Sequence, residues 1–138
     1  MTDVQTSFRL HLLDQAEIVE AVDQRVFADL LPQGATLPAI VLMEVSSTSE
    51  EHLGGGSGLG QMRLRAKVYA ESHAQATQIR ELLRTENVQG FRGSMHGLWI
   101  EGLSVAAKGT GTDPPDAGDT RWRWYKWTDF FISHNEDI

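Results

Sequence analysis

No cysteine occurs in the 138 residues, which excludes disulfides and thiolate metal sites and fits synthesis in a reducing compartment. Long apolar runs are missing as well. Nothing approaches the roughly 18 residues that a membrane span needs, and the start Met1-Thr2-Asp3-Val4 lacks the charged-then-apolar pattern of a secretory leader. The expectation is a soluble, unprocessed chain of the cytoplasm, with no membrane partner. Bases are few, 12 Lys and Arg against 19 Asp and Glu for a net charge of −7. That balance argues against nucleic acid, whose binding rests on clustered cations that neutralise phosphates.

The charges are also segregated. Residues 1–53 hold nine acids and two bases, 54–108 four acids and seven bases, and 109–138 six acids and three bases. Opposed patches of this kind steer and orient association; chance segregation over a solvated surface is the alternative. A chain of this length buries roughly two thirds of its unfolded surface without staples, so residues 1–138 are expected to form a single domain.

Pattern along the chain gives an α+β fold. Thr6 to Val22 is helical by the spacing of Leu10, Leu13, Ile18 and Val22, as one helix or two short ones, with Asp14 and Glu17 as an internal capping box. Pro32, Gly34 and Pro38 then exclude helix. Ala39 to Ser47 is a strand, and Ser49 to Gly60, with Gly54, Gly55, Gly56, Ser57 and Gly58, reads as a flexible loop (about 48–60). Met62, Leu64, Ala66, Val68 and Ala70 alternate with Arg63, Arg65, Lys67 and Tyr69, the firmest strand signal in the chain. Ser72 to Asn87 is a helix opened by a Ser72/Gln75 capping box, with Ala76, Ile79, Leu82 and Leu83 inward. Leu98 to Ala107 is a third strand, 109–119 a second flexible loop, and about Arg121 to Ser133 the last strand. The resulting order is helix, strand, strand, helix, strand, strand. It predicts an antiparallel or mixed four-stranded sheet with two helices packed on one face.

The last strand carries three of the four tryptophans. Parity puts Trp122, Trp124, Phe130 and Ile132 on one face and Tyr125, Trp127 and Phe131 on the other. Two helices cover one side of a sheet, so the second aromatic row needs another cover, and each large apolar side chain left in water forgoes roughly 1.5–3 kcal/mol. A partner subunit supplies it most simply, with Arg63, Arg65, Lys67 and Tyr69 on the same open face. The alternative is a twist that turns Tyr125 and Trp127 inward, or loop 109–119 folded over them. Reversing Arg63, Arg65 and Lys67 to glutamate is expected to weaken association and leave the subunit folded.

Catalytic, metal and cofactor motifs are not found. Gly54 and Gly56 lack a third glycine at 59, Gly60 is followed by Gln61 where a phosphate loop has lysine, and the next element is a strand. Histidines 11, 52, 73, 96 and 134 are dispersed, with no pair at ligand spacing. Ser57 lies in the wrong kind of turn for a nucleophile. Asp129, inside the aromatic strand, is expected to make a structural ion pair with an arginine or lysine.

Three stretches together resemble the tail completion, or tail terminator, proteins of long-tailed bacteriophages and prophages. They are Arg25-Val26-Phe27 with Pro32-Gln33-Gly34-Ala35-Thr36-Leu37-Pro38-Ala39-Ile40-Val41; Ser57-Gly58-Leu59 leading into Arg63 to Ala70 and the helix with Ala74, Ala76, Ile79 and Leu83; and Asp129-Phe130-x-Ile132-x-His134. Lys67, where an acid is expected, and the tryptophans of 121–127 depart from that pattern. The resemblance implies a structural subunit with no catalytic residues and no cofactor. It would form a homo-oligomeric ring, commonly six-fold, at the head-proximal end of the tail tube, contacting the tube and head-connector proteins within the virion tail. Gly54 to Gly58 would then be an assembly loop, and Arg63, Arg65, Lys67, Tyr69, Tyr125, Trp127 and Phe131 an interface. A small ligand-binding domain or enzyme, dimeric and with the aromatic row lining a pocket, is the other reading.

Overall fold

Asp3 opens the first helix by accepting from the Thr6 backbone N–H at 2.7 Å, which satisfies one of the donors a helix start leaves free. Helix α1 runs Val4–Leu13, and its buried stripe is Val4, Phe8 and Leu12, one residue per turn. Leu10 and Leu13 are not in that stripe, contrary to the expectation from spacing. A break at Asp14 and Gln15 separates α1 from α2, Ala16–Val22. The expected Asp14/Glu17 box does not form: Asp14 caps the end of α1, and Gln15 at the start of α2 makes no side-chain capping bond. The computed structural model describes residues 3–52, 55–114 and 122–136.

The sheet has six strands where four were expected. They are β1 Val26–Ala28, β2 Ala39–His52, β3 Gly55–Ala70, β4 Gly93–Met95, β5 Leu98–Asp113 and β6 Arg123–Glu136, ordered β1-β2-β3-β6-β5-β4. Only the β1–β2 pairing is parallel. β1 and β4, three residues each, are too short to show a period in sequence. Strand enters both expected loops, over residues 49–52 and 55–60 in the first and 109–113 in the second. Ser49↔Gly60, Glu51↔Gly56 and His52↔Gly55 pair across the β2–β3 hairpin, and Gly109 to Asp113 pair with Trp127 to Arg123. Residues 53, 54 and 115–121 lie outside the described residues, Gly54 of the expected assembly loop among them. β6 joins β3 only from Leu59↔Asn135 onward, so the glycine-rich end of the hairpin continues as a ribbon of two strands.

Helix α3, His73–Leu82, follows β3 with the expected caps: the Gln75 N–H donates to Ser72 Oγ at 3.1 Å, and Gln75 Oε1 accepts from the Glu71 N–H at 3.1 Å. Three helices, not two, therefore pack on one face. There Met62, Leu64, Ala66 and Val68 of β3 meet Phe130 and Ile132 of β6. Phe8 of α1 sits edge-on to Phe130, 5.5 Å between ring centres. This layer is the core, and it leaves the opposite face of the sheet open.

Candidate functional site

The antiparallel register of β3 and β6 sets Arg63 opposite Phe131, Arg65 opposite Asp129, Lys67 opposite Trp127 and Tyr69 opposite Tyr125. Opposed residues point the same way, so all seven predicted interface residues share the face away from the helices. They interlock as alternating cations and rings. The Arg63 guanidinium lies 5.8 Å from the Phe131 ring centre, that of Arg65 4.1 Å from Trp127, and the Lys67 ammonium 4.3 Å from Tyr125. Each such contact lets the positive head rest on the electron-rich ring face.

Asp129 sits within this ladder with its side chain wholly enclosed, while those of Arg63 and Arg65 remain about one third exposed at 33% and 31%. Arg63 Nε and Nη2 donate to Oδ2 at 2.9 and 2.8 Å; Arg65 donates through Nε to Oδ1 at 2.7 Å and through Nη2 to Oδ2 at 3.1 Å. The expected ion pair is thus a shared one, and its bond to Asp129 raises the Arg65 pKa above its ordinary value against the opposing effect of burial. Further along the ladder Tyr69 is almost fully buried, with the Asp113 carboxylate near its phenol. Burial first, and the nearby Asp113 charge second, push its pKa up to about 12.

Two glycines of the expected 109–119 loop make room for the rings. A Cβ on Gly109 would fall 2.2 Å from the Trp127 indole, and one on Gly111 would fall 2.3 Å from the Tyr125 hydroxyl. Both lie directly across the strand pair from those rings. The chain therefore shelters much of its own aromatic row, by cations on one side and bare backbone on the other. Phe131 is the exception on this face, 46% exposed, beside an open trough formed with Gln61, Leu103, Ser104 and Ser133. The helix-side tryptophans differ from expectation: Trp122 and Trp124 have the inward parity, yet they lie past the end of the helical cover and are 55% and 38% exposed. Trp124 meets the edge of His73, 6.3 Å between centres.

Gly55, Gly56, Ser57 and Gly58 belong to the far end of β3, roughly 30–40 Å along the strand from Lys67 at about 3.3 Å per residue. They are not brought to the ladder. Among the described residues no three His, Asp or Glu are grouped to hold a metal, and no helix is long and apolar enough to cross a membrane.

A family model described as Tail completion protein gp17 matches residues 7–86, from α1 through α3. No curated protein matches the sequence. Among solved structures, a chain of the virion of native gene transfer agent (GTA) particle is similar in fold. Its TM-score is 0.68 at 11% sequence identity, over 96% of this chain and 95% of that one. The likeness in fold thus extends past residue 86 through β4, β5 and β6.

Proposed function

Because the chain belongs to the Tail completion protein gp17 family, whose model covers more than half of it, we propose that it is a ring-forming subunit that ends the phage tail tube and joins it to the head connector. Membership makes it a structural protein of a phage tail, not an enzyme. The family match is the observation that carries the ring-forming role proposed for it. The fold shared with a chain of a gene transfer agent virion supports it.

The open β3–β6 face, with Arg63, Arg65, Lys67, Tyr69, Tyr125, Trp127 and Phe131, is the interface in this reading. Its mixture of rings and cations around a few apolar contacts is the composition that protein interfaces favour. A ring of identical copies, commonly six, needs a heterologous contact that closes on itself. The β2–β3 ribbon with Gly55 to Gly58 reaches away from that face and is the natural contact for a tube or connector protein. A ligand pocket is the weaker reading, since the rings of the ladder are already stacked on the chain's own cations and glycines.

The purified chain mixed with the tube and connector proteins of its own particle tests this. Light scattering coupled to size exclusion should give a mass that is a multiple of the subunit, co-eluting with tube protein. A strict monomer that passes the tube protein without binding at every concentration defeats the reading.

A further inference from the structure

One cation of the ladder has no acid. Arg63 and Arg65 converge on Asp129, whereas Lys67 rests on ring faces, 4.3 Å from Tyr125 and 5.3 Å from Tyr69, with no ion pair among the described residues. On the opposite side of the molecule the imbalance is reversed. Asp14, Glu17, Glu20 and Asp23 recur every third residue along α2 and its flanks, all exposed. Asp14 is paired with His96 at 2.5 Å, but the side chains of Glu17, Glu20 and Asp23 make no ion pair or hydrogen bond among the described residues.

We infer that the cationic sheet face of one copy docks the acidic α2 stripe of a second copy, front to back, with Lys67 set among Glu17, Glu20 and Asp23. This rests on reading the β3–β6 face as an interface. The two surfaces lie on opposite sides of one sheet, so no single chain can bring them together. Their spacings agree: three cations at alternate strand positions span about 13 Å, and the carboxylates from Glu17 on α2 to Asp23 just past its end span about 9 Å, a difference long side chains absorb. Ala16, exposed at the start of α2, lets the helix backbone lie close to the half-exposed Phe131. Front differs from back, so the contact is heterologous and repeats from copy to copy until it closes.

Two charge-reversed proteins test this, Lys67→Glu on the front and Glu17→Lys/Glu20→Lys on the back, each checked for wild-type folding by circular dichroism. Lys67→Gln serves where Lys67→Glu does not fold. Sedimentation velocity should show wild-type self-association that weakens with salt, and each variant alone should associate about tenfold more weakly or worse. Mixed in equal amounts, the two should recover wild-type association, because each reversed front then meets a reversed back. If the Lys67 variant loses association while the α2 variant keeps it, the face is an interface but α2 is not its occupant. If neither variant changes the association, both readings fall. A wild-type chain that stays monomeric while its Lys67 face binds tube or connector protein replaces the second copy with that partner.

Discussion

Replacing Asp129 by alanine would leave two guanidinium groups facing each other across an emptied, enclosed site. Loss of one member of a buried ion pair costs about 3–5 kcal/mol. Because Arg63 and Arg65 still reach water, the lower end, about 3 kcal/mol, is the expected loss in a urea denaturation. The same geometry changes the expectation for reversing Arg63, Arg65 and Lys67 together: the triple variant would surround a buried carboxylate with acids, and it should unfold. Lys67, which holds no carboxylate, is the residue at which charge can be reversed with the fold kept. Tyr69 gives a pH signature. Its folded pKa lies above the ordinary value of about 10, so the fold favours the neutral phenol. That contribution is whole below pH about 10 and is lost as pH rises toward about 12, at most about 2–3 kcal/mol in all. Tyr69→Phe should flatten this alkaline decline; identical urea midpoints against pH in both proteins, from pH 9 to 11, would show that Tyr69 plays no part in it.

At the scale of the element, β5 works because side chains are absent where rings must lie. Gly109→Ala would drive a methyl group into the Trp127 indole, and overpacking of this kind costs about 1–3 kcal/mol. Pairing it with Trp127→Ala should cost less than the sum of the two single changes, since the clash is then gone. Additive losses by thermal melting would mean that the glycine acts through backbone freedom alone. Ser72→Ala should cost about 1 kcal/mol through the lost cap of α3. The capping box and the alternation of β3 were both legible in sequence, because each depends on local chemistry. The strand character of 109–113 and 55–60 was not. Glycine signals turns by local preference, whereas at 109 and 111 the rings across the strand pair call for it, a reason that depends on register. Asp129 was legible as an ion-paired residue, but its sharing between two arginines of another strand was not. The face of Trp122 and Trp124 was legible, but their exposure was not, for a similar reason: parity gives the side of a sheet, not where the covering helices stop.

For the whole molecule, the open face contributes little to folding at its exposed end, which gives a clean separation of roles. Phe131→Asp should leave stability within about 0.5 kcal/mol of wild type, as exposed sites usually do, while weakening self-association in sedimentation velocity. Unfolding of that variant would instead show that Phe131 belongs to the structural part of the ladder. The segregation of charge along the sequence marked the acids of α2 and the cations of β3, which lie in different segments, but not the faces they occupy, since Arg80 of the basic segment lies on α3. The sixfold strand count was not legible, since β1 and β4 acquire strand geometry only beside longer neighbours. Beyond Leu59, toward Gly55, the β2–β3 ribbon is bonded to neither β1 nor β6 among the described residues. Backbone donors and acceptors on both of its outer rims are therefore available, and a strand from another protein could be stitched alongside without displacing anything the subunit already holds.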